Sequence, residues 1–285
     1  MDIKKQVTDQ IIAALESGVS PWQKPWTSAD KSALPYNFVS NKAYQGINVL
    51  ILWGAAISRG YSSTCWMTYK QAAAAGGNVR KGERGTGIVF YSPVKKLDKK
   101  TGKETKYMLM KSYSVFNLNQ IDGITVSPTA ESITSPDMTS NAGYAIEECI
   151  NYMDKWGVGL DNGTEALYRP STNSITMPDF STFKSSEGYA ATLAHECAHS
   201  TGHKSRLNRL EDKSREGYAF EELVAELTSA FVCAKHGIDS TLPNHASYIA
   251  SWLKALKGDV TYIFKAASAA QKAYGMITNE LERVA

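Results

Sequence analysis

The chain has 285 residues, of which 43% are hydrophobic and 21% are charged, and its formal net charge is +3. This composition is typical of a soluble globular protein with one or two domains. No apolar run reaches the length of about 18 residues that a membrane span needs, and the first residues form an amphipathic pattern rather than a signal peptide. We therefore expect a cytoplasmic protein with no membrane partner.

The cysteine pattern argues against a disulfide framework. Cys65, Cys149, Cys197 and Cys233 form no C-x-x-C pair, and each lies in an apolar context. Buried free thiols in a reducing compartment are the expected state of such residues.

Charge is divided unevenly along the chain. Residues 1–126 hold 17 Lys and Arg against 8 Asp and Glu, a balance of +9, whereas residues 127–285 hold 14 against 20, a balance of −6. A stretch rich in Ser, Thr and Pro, residues 125–141, separates the two halves and has the composition of a linker. We predict a basic domain at 1–126, a linker at 127–140 and a second domain at 141–285.

The basic half has alternating helical and strand signals. Hydrophobic periodicity and turn residues predict helices at 2–17, 46–58 and 70–75, and strands at 63–69, 86–94 and 105–117.

Aromatic residues of this half stand beside cations and turn residues. Cations attract phosphates and aromatic rings stack on unpaired bases, so the combination suits a single nucleic acid strand. The same composition also fits ordinary core aromatics and solvated loops, and Trp53 is assigned to the core. The candidate DNA-binding residues are Trp22, Trp26, Trp66, Tyr69, Arg80, Lys81 and Arg84.

A second set of signals is centred on "ATLAHECAHSTGH", residues 191–203. Ser185 or Ser186 can cap a helix that begins before this segment, and Gly202 marks its expected end. On such a helix His195 and His199 are one turn apart and project from the same face.

That spacing is suited to binding one Zn²⁺ ion through two imidazoles. Glu196, next to the first histidine, is placed to act as general base toward a water at the metal. The alternative is a helix whose histidines have no ligand role. A catalytic zinc also needs a third protein ligand.

The third ligand is expected from "EGYAFEELVAEL", residues 216–227, where Glu222 and Glu226 share a helix face. The pair resembles the second helix of thermolysin-like zincins, which implies that Glu222 binds the metal and Glu226 orients a ligand histidine. The two roles could be exchanged, and a solvated acidic face is the alternative. His203 is a rival ligand but stands too close to His199 for the metzincin spacing. Zinc is favoured, although Mn²⁺ or Co²⁺ could occupy the same ligands.

Residues 166–180 read as two strands around a Ser-Thr-Asn turn. In zincins such a strand lines the cleft and can pair with an extended chain, although an ordinary hairpin has the same pattern.

Several segments together resemble the ArdC family of plasmid antirestriction proteins. They are "YQGINVLILW", "WMTYKQ", "NVRKGERGTGIVF", "AHECAHSTGHKSRLNR" and "YAFEELVAEL", in this order. The resemblance implies an α+β chain, with an N-terminal mixed α/β single-stranded-DNA-binding domain and a C-terminal zincin-like metallopeptidase domain. It further implies protection of incoming DNA from restriction during conjugation, in a bacterial cytoplasm.

Three functions are compatible with these features. The first is an ArdC-like protein that binds single-stranded DNA and protects it. The second is a working metalloprotease that cleaves a partner such as a restriction enzyme, with Tyr218 or His245 as candidate oxyanion donor. The third is a DNA-binding module whose metal is structural.

Overall fold

In a computed structural model the described residues are 3–18, 20–22, 34–97, 104–124, 140–238 and 246–280. The chain divides into two compact units, one of residues 35–126 and one of residues 1–34 together with 127–285. The division at 126 coincides with the expected boundary. Residues 1–34, in contrast, belong with the C-terminal unit and not with the basic domain to which the sequence had assigned them.

The reason for this difference is the packing of the first helix. Helix α1, Ile3–Glu16, lies against helix α7, Ala246–Gly258, in the C-terminal unit. Trp22, which follows α1, meets the ring of Trp252 edge to face at a centroid distance of 5.6 Å. The buried residues of α1 are Val7, Thr8, Ile11 and Leu15. The apolar stripe of α1 therefore completes the core of the C-terminal unit.

The unit of residues 35–126 is a mixed α/β structure whose expected helices and strands are all present. Its helices are α2 (Ile47–Arg59) and α3 (Tyr69–Ala74), and its strands are β1 (Tyr36–Asn37), β2 (Cys65–Met67), β3 (Asn78–Val79), β4 (Thr86–Leu97), β5 (Glu104–Asn117) and β6 (Ile121–Asp122). Four strands form one sheet in the order β1-β2-β5-β4, and β3 pairs with β6.

Local sequence explains where these helices begin and end. The Thr68 hydroxyl accepts the backbone N–H of Gln71, and the Gln71 side chain accepts the N–H of Thr68, a capping box at the start of α3. Helix α2 ends at Gly60, whose φ of 68° is left-handed and costs glycine little.

Strands β4 and β5 form a long antiparallel ribbon, in register from Thr86↔Val115 to Leu97↔Glu104. The Asn48 side chain on α2 donates to the Val89 carbonyl at 2.7 Å and accepts the Val89 N–H at 2.9 Å. This pair of hydrogen bonds attaches α2 to the outer edge of β4.

The C-terminal unit combines helices with one small sheet. Its further helices are α4 (Asn141–Trp156), α5 (Ser186–Thr201), α6 (Arg215–Lys235) and α8 (Tyr262–Ile277), and its strands are β7 (Gly159–Asn162), β8 (Leu167–Arg169) and β9 (Ser174–Met177). The sheet order is β7-β9-β8, and β8 runs antiparallel to β9. The hairpin expected at 166–180 is therefore present, and β8 is an edge strand.

The core of this unit lies between α5 and α6. Alanines 190, 191, 194 and 198 on α5 are fully buried, and the Ser229 hydroxyl on α6 donates to the Ala191 carbonyl at 2.8 Å. Small side chains let the two helices approach closely. All four cysteines are buried, as predicted, and none forms a disulfide. None of the helices in the described ranges combines the length and apolarity needed to cross a bilayer.

Candidate metal centre and nucleic acid surface

Helix α5 begins and ends at the positions that its sequence indicates. The Ser185 hydroxyl accepts the backbone N–H of Gly188 at 3.1 Å, and the helix ends at Gly202, whose N–H reaches the His199 carbonyl at 2.9 Å. The caps fix the helix so that His195 and His199 project from one face.

The two histidines and Glu222 converge on one point. The Nε2 atoms of His195 and His199 are 3.1 Å apart, and the Glu222 oxygens lie 3.7 Å and 3.5 Å from them, respectively. Three ligands about 2.1 Å from a tetrahedral ion stand roughly 3.4 Å apart. The set therefore fits a divalent metal ion, and it is the metal-ligand cluster found among the described residues.

A carboxylate next to Glu222 holds the second histidine. The Nδ1 atom of His199 is 3.4 Å from Glu221 Oε1, and Arg209 donates to both Glu221 oxygens at 2.9 and 3.0 Å. Nδ1–H of His199 therefore donates to Glu221, which leaves the lone pair of Nε2 for the metal. The sequence had expected Glu226 to orient a ligand histidine without indicating which one, and for His199 the carboxylate in contact is Glu221.

Glu226 lies one turn beyond Glu222 and lines the same cleft. Within the described residues it makes no hydrogen bond to either imidazole. Its Oε2 atom is buried without a hydrogen-bond partner there, and so is Nδ1 of His195. Burial raises the pKa of Glu226 to about 7, and the nearby histidines offset only part of this rise.

The negative charges around the two histidines favour positive charge at this site, either a protonated imidazole or a bound metal cation. Burial lowers the pKa of His199, but the hydrogen bond with Glu221 and the charges of Glu196, Glu222 and Glu221 outweigh it and raise the pKa to about 9. Burial also opposes ionisation of Glu221 and Glu222, yet their histidine and arginine partners hold both pKa values below the ordinary range. The cluster thus gathers negative charge around two imidazoles.

The cluster opens into a cleft of about 740 Å³ bounded by β8, α5, the segment 209–215 and α6. Glu196 is buried beside His195 and lines this cleft, where the sequence expected a general base. Tyr218 also lines it, and its hydroxyl accepts a hydrogen bond from Tyr248 at 3.4 Å. His203 instead bonds Ser205 and is not part of the cluster. His245 lies outside the described residues.

Two of the predicted DNA-binding tryptophans are core residues. Trp66 is 1% exposed on the inner strand β2, and Trp22 is 2% exposed in the other unit, against Trp252. Their predicted stacking roles are therefore wrong, since composition does not distinguish a core aromatic from an exposed one. Trp26 lies outside the described residues. Tyr69 is 57% exposed and remains available.

The predicted cations lie on the turn between β3 and β4. Arg80 bonds Glu83 at 2.9 Å and Asp122 at 3.4 Å, so its charge is partly neutralised. The Lys81 and Arg84 side chains are exposed. Residues 35–126 carry 13 Lys and Arg against 4 Asp and Glu, while residues 1–34 carry 4 of each. The whole basic excess of the N-terminal half thus belongs to the unit of residues 35–126.

Two family models match the chain. The model for the N-terminal domain of the anti-restriction factor ArdC matches residues 1–116. A model for a zincin-like metallopeptidase, MPTase-PolyVal, matches residues 147–269.

Relatives extend along nearly the full chain. The uncharacterized protein y4eC of Sinorhizobium fredii is 41% identical over 290 residues, which cover 95% of this chain and 90% of that protein. The DNA primase TraC of Escherichia coli is 38% identical over 293 residues, covering 95% of this chain but only 19% of the primase.

Two solved structures also match nearly the whole chain. The metal-free crystal structure of the antirestriction protein ArdC from plasmid R388 matches with a TM-score of 0.82 and 40% identity, over 99% of both chains. The Mn(II)-bound structure of that protein matches with a TM-score of 0.80 and 38% identity, over 100% of both chains.

Proposed function

Because the chain belongs to the ArdC family of antirestriction proteins, we propose that it binds single-stranded DNA and thereby protects incoming plasmid DNA from restriction during conjugation. The observation that carries this proposal is the separation of charge. The basic excess belongs to the unit of residues 35–126, whereas the metal-ligand cluster belongs to the other unit. A bound protein excludes a nuclease by coverage, which requires affinity for DNA and no bond cleavage. The proposed location is the bacterial cytoplasm.

A divalent metal held by His195, His199 and Glu222 is the second part of the proposal. Two imidazoles and a carboxylate favour zinc, and Mn²⁺ or Co²⁺ suits the same ligands. Alanine at any of the three should remove the metal, as measured by elemental analysis of the purified chain. Retention of stoichiometric metal by Glu222→Ala would contradict the ligand assignment.

The decisive comparison uses Glu196→Gln, which keeps the ligands and removes only the base. We expect this variant to bind metal and single-stranded DNA like the wild type and to protect DNA equally well in a restriction assay. If it binds both and fails to protect, hydrolysis is part of the mechanism. If His195→Ala fails where Glu196→Gln succeeds, the metal supports the fold of the C-terminal unit.

A second candidate is a working metallopeptidase, favoured by the position of Glu196 in a cleft bordered by the edge strand β8. A bound divalent ion polarises a carbonyl and acidifies water. In this scheme Glu196 accepts the proton of the attacking water and passes it to the leaving amine as the C–N bond breaks, while β8 pairs with the extended substrate. Tyr218, which lines the same cleft, donates a hydrogen bond to the developing oxyanion.

Peptide cleavage distinguishes this second function from the first. Cleavage of a restriction enzyme or of a peptide library by the metal-loaded wild type, and its loss in Glu196→Gln, would support the peptidase. Tyr218→Phe should then lower kcat more than KM, because an oxyanion donor acts on the transition state.

A further inference from the structure

The two faces of the β4–β5 ribbon differ in what they present. Residues directly opposite in an antiparallel pair lie on the same face, and residues two apart do as well. By the observed register, Phe90 lies opposite Lys111, Ser92 opposite Leu109, and Ile88 opposite Tyr113. Phe90, Leu109, Lys111 and Tyr113 therefore share one face of the ribbon, and we refer to these four residues as the ribbon face.

The ribbon face begins where the core ends. Thr86, Ile88 and Val115, on the same side of the ribbon, are buried. One step further along the strands, Phe90 is 56% exposed and Tyr113 is 47% exposed, and Leu109 and Lys111 are exposed too. The same face of the ribbon is therefore buried at one end and presents two exposed aromatic rings at the other.

The polar and aromatic groups of the ribbon face make no side-chain hydrogen bond, ion pair or ring contact in the described part of the chain. Neither the Phe90 ring nor the Tyr113 ring contacts another aromatic ring there, and the Lys111 ammonium forms no ion pair there. Phe90 and Tyr113 are diagonal neighbours across the two strands, and Lys111 is directly opposite Phe90. Within the described ranges, two aromatic rings without ring partners therefore lie beside a lysine without an ion-pair partner.

This arrangement matches the chemistry of a single nucleic acid strand. Unpaired bases stack on aromatic rings whatever their identity, and a lysine beside the rings binds the phosphate between them. The surrounding unit has an excess of nine positive charges, and six lysines occur between residues 95 and 106. A polyanion is attracted to a unit with this charge, whereas an acidic protein would leave the aromatic rings without their stacking partners.

We propose that the ribbon face is the base-stacking surface for single-stranded DNA, with Phe90 and Tyr113 each stacking a base and Lys111 contacting the backbone. This assignment rests on the proposed function and specifies where it resides. It replaces the buried Trp22 and Trp66 as stacking residues. The turn that carries Arg80, Lys81 and Arg84 would then contact phosphates only.

The test measures binding of fluorescein-labelled oligothymidine to the full-length chain by anisotropy. Phe90→Ala and Tyr113→Ala should each weaken binding by roughly 5- to 150-fold, the range for one base stacked on an aromatic ring. Phe90→Trp should restore binding, because a larger ring keeps the stacking surface. Lys111→Ala should lower the slope of log affinity against log salt by about 0.7.

Matched controls come from the other unit. Phe180→Ala removes an aromatic ring that is also exposed, and Lys204→Ala removes an exposed lysine; both should bind like the wild type. Thermal unfolding checks that each variant remains folded. We expect all of them to fold because the substituted residues are exposed.

The outcomes separate the two proposals. If the wild type does not bind oligothymidine, the proposed function fails. If the wild type binds, and folded Phe90→Ala and Tyr113→Ala bind equally well, the ribbon face assignment alone is overturned. Crosslinking with 5-iododeoxyuridine should label peptides that contain Phe90 or Tyr113, and labelling confined to other peptides would also overturn it.

Discussion

At the scale of single residues, the candidate metal centre depends on how the imidazole of His199 is held. Glu221 accepts from His199 and is itself fixed by two hydrogen bonds from Arg209. Arg209 also donates to the Ala198 carbonyl and the Thr201 hydroxyl, so it connects the end of α5 to α6. A guanidinium with this many partners sets the orientation of the carboxylate, and through it the ring of His199.

We expect Glu221→Gln and Arg209→Met each to weaken metal binding by about 10- to 100-fold, the effect of losing a partner of a ligand histidine. Competition titration with a metal chelator measures the affinity. Glu216→Gln, an exposed substitution on the same helix, is the control and should change nothing. Unchanged affinity in Arg209→Met would show that Glu221 needs no support from the arginine.

Glu226 is a further carboxylate of the cleft, and its buried Oε2 and the buried Nδ1 of His195 both have no hydrogen-bond partner in the described part of the chain. We predict that Glu226→Ala weakens metal binding by about 10- to 100-fold, whereas Glu222→Ala abolishes it. Metal analysis of the two variants side by side checks this. An empty Glu226→Ala together with a loaded Glu222→Ala would reverse the assignment of the two glutamates.

At the scale of elements, helix α1 is part of the C-terminal unit. Its Thr8 hydroxyl donates to the Val260 carbonyl at 2.9 Å, and Trp22 packs on Trp252. Trp22→Ala should lower the free energy of unfolding by about 3–5 kcal/mol, because it leaves a cavity of aromatic size. Urea denaturation measures this loss, and Trp156→Ala, at a partly exposed tryptophan of the same unit, should cost much less. Equal losses would contradict the packing role.

An ionic cluster joins α4 to the end of α6. Glu148 accepts from Lys235 at 2.6 Å and from His236 at 2.8 Å. Burial raises the pKa of Glu148, but hydrogen bonds from His236 and Lys235 and their charges lower it more, to below the ordinary value of 4.5. The carboxylate therefore stabilises the fold at neutral pH.

Glu148→Gln should lower the free energy of unfolding at pH 7 by about 1–3 kcal/mol. Since the folded pKa is depressed, this contribution is complete above the ordinary pKa and is lost as the pH falls through the folded one. The wild type and the variant should therefore converge in stability as the pH falls from the ordinary pKa of a glutamate to below the folded pKa of Glu148. Chemical denaturation across pH tests this, and a difference that persists in acid would contradict the ionic origin.

At the scale of the whole molecule, the excess positive charge and the metal-ligand cluster belong to different units. The excess of nine positive charges lies in residues 35–126, and the metal-ligand cluster lies in the other unit, so we expect the two to respond to different conditions. Raising salt should weaken single-stranded DNA binding steeply, by about 0.7 log units per phosphate contact for each log unit of salt. Metal affinity should change little over the same range, because its charges are buried. Parallel titrations of the full chain measure both, and an equal response would link the two sites.

Much of the metal centre could be predicted from sequence because its signals are local. The i, i+4 spacing of His195 and His199, the cap at Ser185 and the stop at Gly202 all act within one helix. The shared helix face of Glu222 and Glu226 predicted a carboxylate ligand, and the resemblance to thermolysin-like zincins implied Glu222, whose oxygens lie 3.7 and 3.5 Å from the two imidazoles. The hairpin of β8 and β9 also followed from short-range turn and strand signals.

Tertiary structure alone decided which groups surround these residues. Glu222 and Glu226 share a face of α6, but Glu221 lies about 100° around the helix axis, on the side that meets Nδ1 of His199. Arg209 reaches Glu221 from a connecting segment with no fixed spacing. Likewise, all four of these aromatic residues lie in the basic half of the sequence, but Trp22 and Trp66 are buried whereas Phe90 and Tyr113 are exposed. Local spacing determines only which side chains share a face of a helix or strand. Contacts between residues far apart in the sequence determine how a packed helix is rotated and which strand lies inside a sheet.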